Sequence, residues 1–276
     1  MKPQVIAARL IPILFLSLTI YGCGGGSDPT PTPLGSVDIP ITLSGDFSVS
    51  AVAPNSAATG SGTLTLNRDT GDLTGSLTIS GLSSNANNAH VHVGIAGIPG
   101  RVVVPLDYTN TTVTVPANTM LSTAQMDALL EANYYINVHT ENNTLGELRG
   151  QIVPAGFQVI RVVLDGASEV PPVTTGSSAI GYLTINSSTL SLQGNITSTG
   201  ITGDTAAHIH GPAAAGVNAG IRVPFPAKPD DDALWALPDT TTISQIDMDY
   251  ILASQTYLNV HTTGNPGGEV RGQIVP

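Results

Sequence analysis

A chain of 276 residues with 30 Gly, 20 Pro, 41% hydrophobic and only 11% charged residues is too apolar and too sparsely charged for disorder. Its short runs of Thr, Ser, Val and Ile, punctuated by Gly and Pro, are the composition of an all-β protein with many turns. The formal charge of −11 repels phosphate backbones, which argues against nucleic acid as a partner and leaves cations and basic protein surfaces open.

Residues 1–23 carry a basic start (Lys2, Arg9), an apolar run from Leu10 to Ile20, and the ending Tyr21-Gly22-Cys23. The run is shorter than the ~20 residues a membrane-spanning helix needs, so it reads as an export signal. Its end resembles the lipobox of bacterial lipoproteins, with Cys23 as the residue that receives the lipid. Cys23 is also the one cysteine in the chain, and a thiol converted to an anchor leaves no disulfide behind. The expectation is a cell-envelope protein attached to a membrane through Cys23, in the outer membrane where the cell has two. Residues 24–36 begin with Gly and continue with Pro-Thr-Pro-Thr-Pro, a flexible joint followed by a stiffer spacer.

Beyond the tether the chain writes one plan twice, at a constant offset. Gly62-Thr63-Leu64-Thr65-Leu66 and Gly75-Ser76-Leu77-Thr78-Ile79 alternate around a Gly-containing turn, which predicts a hairpin. Tyr182–Ile185 and Leu190–Ile196 form its counterpart. Ser122-Thr123-Ala124-Gln125 has the form of a capping box, and Met126, Leu129 and Leu130 follow at helical spacing. Ser244 to Leu252 repeats that short helix with Asp247 in place of the Gln. Each helix leads into an Asn-Val-His-Thr phrase (Asn137–Thr140, Asn259–Thr262), then into Gly-Glu-x-Arg-Gly-Gln-Ile-Val-Pro, ending at Pro154 and Pro276. Two tandem all-β domains follow, over 37–154 and 156–276, each a Greek-key-like β-sandwich or barrel with one short helix before the Asn-Val-His strand. The short joint at Ala155-Gly156 implies domains packed in a fixed arrangement. Asp230-Asp231-Asp232 reads as a solvated loop.

The second copy contains Leu164-Asp165-Gly166-Ala167-Ser168-Glu169-Val170-Pro171-Pro172-Val173, then Ala207-His208-Ile209-His210-Gly211-Pro212-Ala213, then the Asn-Val-His and Gly-Glu-Val-Arg-Gly-Gln phrases. In this order they resemble the CHRD domain, named after the animal extracellular protein chordin and found in many exported bacterial proteins. The first copy has Ser48-Val49-Ser50-Ala51-Val52 where the second has Glu-Val-Pro-Pro-Val, and Val93-Gly94 after its His pair. The resemblance implies an extracytoplasmic β domain and, by way of chordin, a non-catalytic module that binds an extracellular protein or polysaccharide.

All six histidines fall in the repeated plan: His90, His92 and His139 in the first copy, His208, His210 and His261 in the second. Strand alternation puts His90 and His92 on the face opposite Val91, and Tyr135, Asn137 and His139 on the face opposite Ile136 and Val138. Arg149, Glu147 and Gln151 likewise oppose Leu148 and Ile152, and the second copy keeps the same phase. His residues at i and i+2 stand about 7 Å apart at Cα, so an adjacent Asn-Val-His strand brings three imidazoles together. Three His without Cys or Met suit copper or zinc and leave an open position. Asn137, Glu147 and Arg149, with Asn259, Glu269 and Arg271, are candidates for the groups that orient the rings. The plainer alternative is that the histidines make ordinary hydrogen bonds, and that Glu147/Arg149 and Glu269/Arg271 are cross-strand ion pairs worth ~0.2 to 1 kcal/mol each. No nucleophile motif, phosphate loop or dinucleotide fingerprint is present, which makes an enzyme the weaker class.

Overall fold

The computed structural model describes residues 32–48, 57–226, 233–239 and 241–276. The export signal with Cys23, tether residues 24–31, Val49-Ser50-Ala51-Val52 and Asp230-Asp231-Asp232 lie outside the described residues.

The first half runs β1 (Ser36–Ser44), a 3-10 turn (Gly45–Phe47), β2 (Thr59–Asn67), β3 (Leu73–Ser80), β4 (Ala86–Val93), β5 (Val102–Pro105), β6 (Asp107–Tyr108), β7 (Thr112–Thr114), α1 (Thr123–Leu130), β8 (Tyr134–Thr140) and β9 (Leu148–Gln151). The second half runs β10 (Phe157–Asp165), β11 (Ser178–Asn186), β12 (Ser191–Thr199), β13 (Asp204–His210), β14 (Ile221–Phe225), β15 (Leu234–Ala236), α2 (Gln245–Leu252), β16 (Tyr257–Thr262) and β17 (Val270–Gln273). Both halves belong to one compact unit, Leu34–Pro276, and are mostly β. Among the described residues no helix is long and apolar enough to cross a membrane.

Each half makes one antiparallel sheet, in the orders β5-β4-β8-β9-β1-β2-β3-β7-β6 and β14-β13-β16-β17-β10-β11-β12-β15. In the first sheet β5 and β6 are outermost in that order yet are joined by Leu106 alone. Leu106 N donates to Ala89 O and Tyr108 Oη to Asn87 O, so the ends fold round upon β4 and the sheet nearly closes into a barrel. The predicted hairpins form as read, with Gly62 opposite Leu77 and Leu183 opposite Gly194.

Inward residues of alternating strands fill each barrel. Val91, Ile136, Val138, Leu148 and Ile152 join Ile39, Ile41, Leu64 and Leu77 in the first core, while Ile209, Leu258, Val260, Val270 and Ile274 do so in the second. Helix α1 carries the capping box in full: Ser122 Oγ accepts from Gln125 N, and Gln125 Oε1 accepts from Ser122 N. It lays Leu129 into the core, with Met126 and Leu130 against its edge. In α2 the Asp247 variant of the box keeps the Ser244 cap, and Ser244 Oγ also donates to the Asp247 carboxylate.

The closing phrase has a structural explanation residue by residue. Gly150 and Gly272 sit where the neighbouring strand's carbonyl, Thr42 O or Val163 O, occupies the space of a Cβ, so only Gly fits. Gln151 Nε2 donates to Gly94 O and Ala132 O, and Gln273 Nε2 to Ala213 O and Ser254 O, tying the last strand to the loops on both sides.

Candidate metal centre

The outward faces of β4 and β8 carry the histidines of the first half. In the register of β4 against β8, His90 lies opposite Asn137, His92 opposite Tyr135 and Asn88 opposite His139, which brings the three imidazoles side by side. β13 and β16 repeat this, with His208 opposite Asn259 and His210 opposite Tyr257. Both His-x-His strands carry irregularities at the paired positions, between Val91 and His92 and between Ile209 and His210. Bulges of this kind re-aim side chains beside sites.

The result is two clusters, His90/His92/His139 and His208/His210/His261, in each of which one ring nitrogen per residue lies within 4.8 Å of the others. Ring centroids are 5.4 to 6.2 Å apart in the first cluster and 5.0 to 5.5 Å in the second. The first opens to a pocket of ≈ 310 Å³ lined by Asn87, Asn88, His90, His139 and Thr144.

Loop carbonyls set the ring orientation. His92 Nδ1 donates to Gly100 O (2.9 Å), His139 Nδ1 to Thr144 O (2.9 Å), His210 Nδ1 to Ala219 O (2.9 Å) and His261 Nδ1 to Pro266 O (3.0 Å). A carbonyl oxygen only accepts, so in each of these rings Nδ1 carries the proton and, when the ring is neutral, Nε2 carries the lone pair. In the second cluster the Nε2 atoms of His210 and His261 then face each other at 3.3 Å, lone pair toward lone pair. In the first, His92 Nε2 and His90 Nδ1 are buried without a hydrogen-bond partner, and in the second so is His208 Nδ1.

Burial also favours the neutral form of His90, His92, His208, His210 and His261. Burial, followed by repulsion from the neighbouring imidazoles, lowers the His90 pKa and brings His208 down to about 4. Burial is likewise foremost in lowering those of His92, His210 and His261.

A stack supports each cluster. The His92 ring lies parallel to Tyr135 (4.9 Å, 8°), and the Arg149 guanidinium sits over the same tyrosine at 3.5 Å. His210, Tyr257 and Arg271 repeat this at 5.0 Å and 3.4 Å. Arg149 Nη2 donates to Ile95 O and Ile98 O; Arg271 donates to Val217 O and Asn218 Oδ1.

Of the residues expected to orient the rings, Arg149 and Arg271 lie on the tyrosines against which His92 and His210 stack. Asn137 Nδ2 lies 3.5 Å from His139 Nε2 and also donates to Leu145 O, while Asn259 Nδ2 reaches Gly267 O. The Glu269–Arg271 ion pair does not form. The Glu269 carboxylate accepts from Thr175, Thr262 and Asn265, which lowers its pKa, and the arginine fork is taken up by loop acceptors. Glu147 accepts from Ser83 N and Oγ, Thr140 Oγ1 and Asn143 Nδ2, closing the end of the β8–β9 hairpin onto the loop before β4. The tyrosines share the histidines' faces by alternation, but alternation does not say which residues on a face stack, so nothing in the sequence marked them as supports.

Glu169, distant in sequence from any partner, is buried against Gly268 beside the Asn259 amide. Burial pushes its pKa up to about 7, against the pull of Arg271. At the corresponding place in the first barrel, Ser48 Oγ donates to Gly146 O.

Fold and site together define a tandem-barrel protein with one imidazole cluster on the outer face of each barrel. The CHRD domain model matches residues 39–152 and 160–274, so the chain belongs to the CHRD family. A similar curated protein is chordin from Xenopus laevis, 30% identical over 53% of this chain and 17% of its own length. No solved structure matches.

Proposed function

We propose that each barrel holds one copper or zinc ion through its three histidines, on a module exported from the cytoplasm and anchored by lipid at Cys23. The observation that carries this reading is the 3.3 Å approach of His210 Nε2 to His261 Nε2, with both Nδ1 protons committed to carbonyls. Two lone pairs so placed repel unless a cation lies between them, and tetrahedral ligands at 2.0 to 2.1 Å stand roughly 3.3 to 3.4 Å apart. The remaining nitrogens, spread over as much as 4.8 Å, close in by roughly an ångström or more on binding. Neutral imidazoles with anchored Nδ1 protons are the form that ligates. Three protein ligands leave a position for water or an exchangeable group, which suits buffering, storage or redox chemistry.

Purified protein exposed to Cu(II) or Zn(II) and then desalted is expected to retain two ions per chain. His90→Ala or His208→Ala is expected to retain one. Wild-type protein without stoichiometric metal would end this reading.

Membership of the CHRD family supports a second reading, a non-catalytic binding module that displays its barrels to an extracellular protein or polysaccharide. The two readings are compatible. For the anchor, Cys23→Ser is expected to move the chain from the membrane fraction to the soluble exported fraction; an unchanged distribution, or no lipid-dependent mass on the wild type, would count against it.

A further inference from the structure

The two centres are alike in their histidines and tyrosine–arginine stacks but differ in what holds the loop that fixes the central ring. In the first barrel that loop, residues 94–100, ends at Gly100, whose carbonyl accepts from His92 Nδ1 and whose N–H donates to Tyr135 Oη. Arg149 grips its middle at Ile95 O and Ile98 O. Its tip is gripped from the other barrel: Asn195 Nδ2 donates to Ala96 O at 2.7 Å, and Gly97 packs so closely on Tyr182 and Asn195 that a Cβ would strike both. Asn195 is fully buried in this contact, and Tyr182 also reaches Phe47 and Asp46 O.

The corresponding loop of the second barrel, 213–219, is held from within. Asn218 accepts from Arg271 and donates to Val170 O of the same barrel, while Gly216 has nothing within 4 Å of its Cβ position and Val217 is 53% exposed. The first loop carries Ile98-Pro99 in that stretch and no asparagine.

We infer that the second barrel completes the first barrel's metal centre, with Asn195 and Tyr182 as positioning residues that hold loop 94–100 and through it His92. This rests on the metal reading above. The two centres then differ in kind: the second is self-sufficient, and the first has its full affinity only while the barrels are docked.

The first barrel carries Thr63 and Ser76 at the register positions of Tyr182 and Asn195, so this sheet accommodates the smaller pair. The test is therefore Tyr182→Thr/Asn195→Ser, and Asn195→Ser alone, in the full chain. One background carries His208→Ala/His210→Ala to isolate the first centre, and the other His90→Ala/His92→Ala to isolate the second. Zn(II) affinity is measured by competition with a chromophoric chelator. The double variant is expected to weaken the first centre by about 10- to 100-fold, the usual cost of losing a ring-orienting contact, and to leave the second within about twofold. The crossed pattern separates positioning from general damage, since the substitutions lie in the second barrel and simple destabilisation would strike its own centre. Equal loss at both centres, or no loss at the first, overturns the inference. Nitrogen NMR of the metal-free double variant gives a readout independent of binding: the His92 Nδ1–H signal should move while that of His210 stays. Absence of zinc from both parent backgrounds would overturn the metal reading and this inference with it, whereas an unmoved His92 signal would overturn this inference alone.

Discussion

Metal-free protein is expected to lose stability as the pH falls from 7 toward 4, and saturating copper or zinc is expected to restore it over the upper part of that range. His90, His92, His208, His210 and His261 all have pKa values lowered in the fold, His208 to about 4, from an ordinary value of 6.5. Below pH 6.5 the unfolded chain therefore binds protons that the folded chain refuses, and the slope of unfolding free energy with pH is positive until the folded rings titrate. Glu169 opposes this. Its pKa is raised to about 7, so the stability it contributes is fully present below 4.5 and is lost as the pH rises through 7. The Glu269 carboxyl, held low by its hydroxyl and amide donors, adds to the loss only below pH 4.5. Five groups against one make the histidine sign prevail between pH 4.5 and 6.5.

An ion bound only to the folded state adds about 4 kcal/mol per centre at a thousandfold excess over its dissociation constant. At the second centre that gain should persist below pH 6.5, because its three rings resist protonation, and fade toward pH 4 as His208 itself takes a proton. Thermal unfolding followed by circular dichroism at pH 7, 5.5 and 4.5, with chelator or with Zn(II), reads both effects. A melting temperature of the metal-free protein that holds level or rises on acidification would show that the imidazoles are not held neutral.

The triads were legible in the sequence because strand alternation is strictly two-fold. Once Val91, Ile136 and Val138 are assigned inward, His90, His92, Asn137 and His139 can only face outward, and one antiparallel pairing brings them together. The capping box at Ser122 and the Gly62–Ile79 hairpin were legible for the same reason: each is decided within a few residues. The partners of the Nδ1 atoms were not. Gly100, Thr144, Ala219 and Pro266 offer backbone carbonyls, which every residue has, and their positions depend on how loops return over the barrel. Pairing Glu269 with Arg271 failed because alternation places two side chains on a face without saying what else competes for them. Loop acceptors and a tyrosine took the guanidinium, and Thr175, remote in sequence, took part of the carboxylate. Support of one barrel's loop by the other barrel is more distant still, since Asn195 and Ala96 are joined by no local pattern.

Arg149→Lys is expected to be among the most damaging single changes in the first barrel, and worse than Arg149→Met. Arg149 is 2% exposed and has no acidic partner among its hydrogen bonds; burial alone brings its pKa down to about 10. Its compensation is geometric. A flat guanidinium lies on Tyr135 while its edge reaches two carbonyls, and a tetrahedral ammonium cannot do both. Lysine keeps the desolvated charge and forfeits the stacking and at least one bond. A charged-donor hydrogen bond is worth ~1.5 to 3 kcal/mol and a desolvated cation–π contact up to ~2, so the loss is on the order of 3 kcal/mol. For a barrel of this size that is a fall of roughly 10 °C in melting temperature. Methionine loses the same contacts but also removes the charge whose burial is the cost, and its thioether still packs on the tyrosine, so it should retain more stability than lysine. Thermal unfolding of the two variants at pH 7 decides the order. Lysine equal to wild type would mean that the fork geometry is immaterial, and methionine falling below lysine would mean that charge, and not shape, is what the stack over Tyr135 requires.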